Sequence, residues 1–335
     1  MKLDCHTHLV AANSPTDGYA RAPLRRFAHE RAMRWQLKLG RAVSLEEAAR
    51  EYEERLAGWV RGSELDRAVV LAFDQIYRED GSADRGRTYL HIENDHVRDA
   101  CARHPGTFLY GASVHPFRPD ALEELERVRE DGAVLVKLLP NSHGFDPADS
   151  RLAPYFRKLA DLGLPLLCHC GYEHTIPVID QRYGDPSRLS AALEQGVTVI
   201  VAHVGTAGLT HLRETFGAFL ELLVKHPNCY GDTSALTNLW RSSFLPLLVD
   251  PERLARRFPV VPDDLPSRLV HGSDVPIPIT PAALFRHVPS RVRRRLKKLA
   301  NPLQLDIELK RHVGLPDACL TRASDALQIG EKLRK

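Results

Sequence analysis

The chain has 335 residues, 43% of them hydrophobic and 27% charged, with a formal net charge of +3. These proportions are ordinary for a folded globular protein. The charge is too mild to imply a nucleic-acid partner, and no apolar run approaches the length of a membrane span. The length fits one large domain or two ordinary ones. The six cysteines are scattered along the chain and read as reduced, buried thiols of a cytoplasmic protein. The chain runs from Met1 straight into a strand, so no secretory signal is expected.

Eight β-rich runs follow one another: 2–8, 67–73, 107–114, 133–139, 164–170, 197–203, 228–233 and 268–274. Several, such as Ala68-Val69-Val70-Leu71-Ala72-Phe73, are nearly continuous in apolar residues. This fits parallel strands buried on both faces. Helical stretches lie between them. The stretch 120–132 carries Leu122, Leu125 and Val128 and closes on Gly132, and 151–163 closes on Gly163, each glycine placed as a C-terminal cap. Asp185-Pro186 and Asn301-Pro302 each open a helix, the second over 303–313. Strand and helix alternating eight times predict a (β/α)8 TIM barrel as a single domain over 1–335. A doubly wound sheet is the alternative, but no glycine-rich phosphate turn follows the first strand.

The connection 9–66 is too long for a single crossover. Ser44-Leu45-Glu46-Glu47 reads as a capping box that starts a helix, and the arginine-rich stretch 21–39 offers another. This helical insertion leaves the end of the first strand, so it is expected to cover the barrel mouth or to form a contact between subunits of a homo-oligomer. The basic run Arg291 to Lys298 reads as a solvated helix face.

Chemistry concentrates at the C-terminal ends of the runs, where the active sites of such barrels sit. His6 and His8 close the first run. Side chains at i and i+2 of a strand share a face, about 6.6 Å apart along it, so both imidazoles can reach one ion. The fourth run supplies Lys137, the fifth His169, the sixth His203 and the eighth Asp274. Imidazole nitrogens and a carboxylate are the donors that a zinc-like ion takes. Cys168 alternates to the face opposite His169 and reads as packing. His115, His143 and His174 fall near strand ends, as loop residues or substrate contacts.

The ordered set Asp4-Cys5-His6-Thr7-His8, Gly111-Ala112-Ser113-Val114-His115-Pro116, Val136-Lys137-Leu138-Leu139-Pro140, Gly163 through Gly171, Val201-Ala202-His203-Val204-Gly205 and Gly272-Ser273-Asp274-Val275-Pro276 resembles the amidohydrolase superfamily. Within it, the likeness is to the amidohydrolase-related group that includes aminocarboxymuconate-semialdehyde decarboxylase. It runs from residue 1 to about 280. One departure is Ala323-Ser324-Asp325, where the family often has an Asn-Ala pair.

The resemblance to mononuclear members implies one divalent metal on His6, His8, His169 and Asp274, with His203 beside it as acid/base. The resemblance to binuclear members implies two ions, bridged by a carboxylated Lys137, with His169 and His203 on the second. Zinc is the foremost candidate and manganese the alternative. An unmodified Lys137 would instead pair with an acid or a substrate carboxylate.

The leading expectation is hydrolysis of a C–O or C–N bond in a small lactone, ester or amide, with activated water as nucleophile and Asp274 and His203 moving protons. The alternative is non-oxidative decarboxylation of a small unsaturated or aromatic acid. A metal-dependent deoxyribonuclease and a non-catalytic barrel are further readings. Trp240 and Arg241 are expected to bind the substrate as an apolar wall and a carboxylate fork.

Overall fold

The computed structural model describes residues 1–10, 18–20, 45–206 and 214–332. Eight parallel strands form one sheet in the order β1, β3, β5, β6, β7, β8, β9, β10. They are β1 (Leu3–His8), β3 (Arg67–Leu71), β5 (Phe108–Ala112), β6 (Leu135–Leu138), β7 (Leu166–Cys168), β8 (Val199–Val201), β9 (Cys229–Asp232) and β10 (Leu269–Val270). Each falls inside one of the eight apolar runs. The ring closes where the residues after β10 return to β1. Cys5 N–H donates to the His271 carbonyl at 3.0 Å, Asp274 N–H to His6 O at 2.8 Å and His8 N–H to Val275 O at 2.8 Å. The expected TIM barrel is therefore present.

Two apolar layers follow from strand alternation. Leu3, Cys5, Leu71, Leu135, Leu167 and Ile200 belong to one buried cluster, inside the ring. Their neighbours Val70, Val136, Leu166, Val199 and Val201 belong to a larger cluster shared with the surrounding helices. The helices begin and end as their sequence signals require. Asn301 accepts from the N–H groups of Leu303 and Gln304 to cap the helix Pro302–Val313. Gly132, Gly163 and Gly196 all have positive φ just past helix ends, where a side chain would be strained.

The observed strands are shorter than the runs. β7 stops at Cys168 and β8 at Val201, so His169 and His203 stand just beyond regular pairing. β10 keeps only two residues, and His271 N–H already donates to the Cys319 carbonyl; Asp274, four residues beyond the strand, is left-handed at φ 65°.

Two described pieces of the long first connection go different ways. The helix Leu45–Arg61 lies on the barrel wall beside the helix Pro302–Val313, where Asn301 donates to Trp59 O at 2.7 Å. Its Tyr52 hydroxyl donates to the His8 carbonyl at 2.9 Å. The short strand β2 (Gly18–Ala20) pairs antiparallel with β4 (Leu90–Ile92). Ile92 in turn exchanges hydrogen bonds with Phe73 beyond the C-terminal end of β3. The arginine-rich stretch 21–39 and the capping residue Ser44 lie outside the described residues. Among the described residues no helix is long and apolar enough to cross a membrane.

Gly231 of β9 shows how tightly the wall is packed. A Cβ at this position would lie inside contact distance of the Phe219 ring and 3.0 Å from Val204 Cγ1. Gly231→Ala is therefore expected to destabilise the fold by about 1–3 kcal/mol, as overpacked cores do. A urea midpoint equal to that of the wild type would contradict this packing.

Candidate active site

Alternation places most of the site. Lys137 follows Leu135 by two residues, His169 follows Leu167, and Asp232 follows Tyr230, so all three face the interior at the C-terminal end of the ring. Asp274 lies beyond the paired part of β10 with left-handed backbone, and its carboxylate meets His8 Nε2 at 3.1 Å. Two strands that carry candidate ligands break the rule. On β1, Leu3 and Cys5 face inward, so strict alternation would send His6 and His8 outward. The pairing register with β3 shifts between Asp4 and Thr7, and this irregularity turns both imidazoles into the site. On β8, Ile200 and Ala202 face inward. His203 joins them because it and Val204 are left-handed, at φ 55° and 48°. A side chain costs energy there, and such residues cluster at functional sites.

His6 Nδ1–H donates to Asp232 Oδ2 at 2.7 Å, which fixes the tautomer and leaves Nε2 an unprotonated acceptor facing the site. That Nε2 is 3.5 Å from Asp274 Oδ1, and His8 Nε2 is 3.1 Å from the same oxygen. His6, His8 and Asp274 each offer one ligand atom, all within 4.8 Å of one another; His6, His203 and Asp232 form a second such group. Two imidazoles and a carboxylate fit a divalent ion of the zinc type. In the second group Asp232 is already committed. It accepts from His6 Nδ1, from the backbone N–H of His203 at 2.7 Å and Ser234 at 2.9 Å, and from the Ser234 hydroxyl. It orients the His6 ring rather than ligating an ion.

His203 Nδ1 lies 2.7 Å from Ser234 Oγ and 3.2 Å from Ser234 O, so its Nε2 is the open nitrogen, 4.0 Å from Asp274 Oδ2. Burial, followed by the Arg241 charge, pushes the His203 pKa down to about 3. The ring is neutral and presents an acceptor. Burial opposes ionisation of Asp274, but His6, the bond from His8 and His203 outweigh it and hold its carboxyl below the usual carboxylate range.

Lys137 is buried, with Nζ 3.2 Å from His6 Nε2. Burial lowers its pKa, while Asp232 and Asp274 pull the other way. The His169 ring packs 5.1 Å from that of His203. Its Nε2, without a hydrogen bond, faces Glu173 Oε2 at 3.5 Å. His169 is thus next to the site but outside both donor groups.

The structure separates Trp240 from Arg241, against the expectation of a paired wall and fork. Arg241 is buried and spends its guanidinium on the carbonyls of Thr206 and Tyr172 and on Thr206 Oγ1. Trp240 is 53% exposed. His174 is exposed. His115 and His143 are buried, and His115 Nε2 donates to the His143 carbonyl at 3.1 Å. Sequence reasoning missed Asp232, Ser234 and Glu173. Asp232 did carry a signal, as the acidic residue at the end of the seventh run.

An amidohydrolase family model matches residues 3–310, and the chain belongs to that family, as its motifs suggested. Solved structures with little sequence in common share the fold. An uncharacterized TIM-barrel protein of Bordetella bronchiseptica is 18% identical, with a TM-score of 0.55 over 93% of this chain and 99% of its own. The 5-carboxyvanillate decarboxylase of Sphingomonas paucimobilis is 13% identical, with a TM-score of 0.55 over 98% of both chains. The 2,6-dihydroxybenzoate decarboxylase of Rhizobium is also 13% identical, with a TM-score of 0.56 over 98% of this chain and 99% of its own. No curated protein sequence matches the chain.

Protein purified without chelator is expected to carry about one to two equivalents of a divalent metal, zinc foremost. Elemental analysis checks this. Less than about a tenth of an equivalent, with no uptake of added zinc, manganese or cobalt, would exclude such a site.

Proposed function

We propose that this chain is a metal-dependent non-oxidative decarboxylase of a small unsaturated or aromatic carboxylic acid. The observation that carries the reading is the dryness of the site. His6, Lys137, His169 and His203 are each no more than 3% exposed, and of the candidate metal-holding side chains only His8 and Asp274 reach solvent, at 22% and 11%. A substrate carboxylate entering such a site loses its hydration, and its charge disperses as carbon dioxide leaves, so exclusion of water favours the departure. Two barrels of the same fold are decarboxylases of hydroxylated aromatic acids, which supports the choice.

His6, His8 and Asp274 would hold the metal, with His169 and Lys137 adjoining. Bound there, a divalent ion supplies Lewis acidity to a substrate oxygen. The chain's own groups do the rest. The carbon–carbon bond to the carboxylate breaks, its electron pair stays on the substrate carbon, and that carbon takes a proton. His203 Nε2, an acceptor open toward Asp274 Oδ2 at 4.0 Å, is the atom placed to take up a proton from solvent and pass it to that carbon. The charge of the buried Arg241 attracts the anionic substrate. The part of the 9–66 segment around β2 would act as a cover, whereas its helix Leu45–Arg61 lies on the barrel wall. Strand β2 is tied through β4 to Phe73 at the catalytic end, which supports this placement.

A second reading, hydrolysis of a lactone, ester or amide, is favoured by Lys137. Its position against His6 Nε2 suits the bridging lysine of binuclear relatives, and a lowered pKa favours the neutral amine that can take up carbon dioxide.

Asp274→Asn is expected to abolish turnover with the fold retained. His203→Asn is expected to cost about 10²–10⁴-fold in kcat, the usual worth of a positioned acid/base. Near wild-type rates in either variant would mean that other residues carry the chemistry. The reaction class is read from a panel of unsaturated and aromatic acids, lactones, esters and amides. Carbon dioxide evolution from an acid is the expected result. Acid release from a lactone, ester or amide without carbon dioxide would establish the hydrolytic reading instead.

A further inference from the structure

Behind the site, a buried ion pair on the helix Pro302–Val313 has no role in the proton chemistry above. Asp306 and Lys310, four residues apart, are 0% and 2% exposed. Lys310 Nζ donates to Asp306 Oδ2 at 2.5 Å, and Asp306 Oδ1 accepts from the Thr237 hydroxyl at 2.6 Å. A buried pair of this kind contributes little to stability in itself, because desolvation offsets the attraction. Its other contacts point toward the site.

Lys310 Nζ also donates to the Gly272 carbonyl at 2.7 Å. Gly272 is pressed against a candidate ligand, since a Cβ there would lie 2.9 Å from His6 Cβ. The next residue, Ser273, donates its N–H to Asp4 Oδ1 at 3.0 Å. The same oxygen accepts the His6 N–H, also at 3.0 Å. The other Asp4 oxygen has no hydrogen bond and faces His271 Nε2 at 3.9 Å, which in turn is 4.0 Å from Asp306 Oδ2. The backbone from 271 to 274 is thus gripped from the helix side by Lys310 and from the β1 side by Asp4, immediately before it delivers the Asp274 carboxylate.

We propose that Lys310, seated by Asp306, and Asp4 are positioning residues that hold His6 and Asp274 in ligating geometry, so that a helix remote from the substrate sets metal affinity. The inference rests on reading His6, His8 and Asp274 as metal ligands. It identifies groups that touch neither metal nor substrate and act through the Gly272 carbonyl and the Ser273 and His6 amides.

The test titrates the metal-stripped full chain with zinc alone, in competition with a chromogenic chelator, alongside thermal unfolding. Lys310→Met and Asp4→Ala are each expected to raise the zinc Kd about 10–100-fold, the usual effect of losing a group that orients a ligand. Asp4→Asn keeps an acceptor oxygen for both amides and is expected to bind close to the wild type. Leu309→Ala, an apolar buried neighbour on the same helix, serves as the control, losing thermal stability with its zinc Kd unchanged. Should Lys310→Met fail to fold, the contrast between Asp4→Ala and Asp4→Asn decides. Zinc affinity in Lys310→Met and Asp4→Ala equal to the wild type, or weakened no more than in Leu309→Ala, overturns the inference and leaves the metal reading standing. Wild-type protein that binds no zinc overturns both.

Discussion

The hydrogen bond from Asp274 N–H to the His6 carbonyl, 2.8 Å long, joins the last strand of the barrel to the first, and the site depends on that closure. His6 and His8 come from the start of the chain and Asp274 from near the end of the ring. No local segment carries the candidate ligands of more than one strand. The donor cluster therefore exists only when all eight strands are in register and the seam is shut. A metal that binds this arrangement and not the open chain stabilises the closed ring by mass action. Closure and ligand geometry are then two views of one equilibrium, and groups that brace the seam, such as Asp4, bear on both.

The positions where backbone regularity fails are the positions where chemistry is placed. Regular alternation would put His6, His8 and His203 on the helix side of the sheet. A register shift on β1 and two left-handed residues after β8 bring them in. Left-handed backbone at a side-chain-bearing residue costs about 1–3 kcal/mol and persists only where neighbours fix it. The neighbours here are identifiable. His203 is held by its N–H to Asp232 and by the Thr206 N–H and hydroxyl on its carbonyl. Asp274 is held by His6 on one side and by the Ile277 N–H on the other.

This pattern explains what could be read in the sequence. The eight strands were legible because parallel strands buried on both faces are apolar throughout. The helix ends were legible because Gly132, Gly163 and Asn301 carry local capping signals. His6, His8, His169, His203 and Asp274 stood out because each ends an apolar run. Asp232 was not singled out, since its role is to hold a ring more than two hundred residues earlier in the chain, and long-range pairing leaves no local trace. Trp240 and Arg241 are adjacent in sequence, which suggested one surface. The fold buries one and exposes the other. The bulge on β1 left no residue-type signature, so the sequence pairs the two histidines without giving the reason they face inward.

The least settled atom in the site electrostatically is Lys137 Nζ, and its state divides the two chemistries. As an ammonium it donates to His6 Nε2 at 3.2 Å, occupying the lone pair that a metal needs. As an amine it leaves that nitrogen free, but the neighbouring Asp232 and Asp274 carboxylates then lose a nearby positive charge. Burial favours the amine, whereas those two carboxylates favour the ammonium. A divalent cation held as proposed by His6, His8 and Asp274 would resolve the conflict, since it would supply the missing charge and repel the proton on Lys137. Metal occupancy and a neutral lysine therefore reinforce each other. A neutral lysine that took up carbon dioxide would become an anion able to help hold a second ion, the arrangement that suits hydrolysis. One that stays an amine leaves a single ion in a dry, mostly neutral pocket, the setting in which a carboxylate loses carbon dioxide most readily.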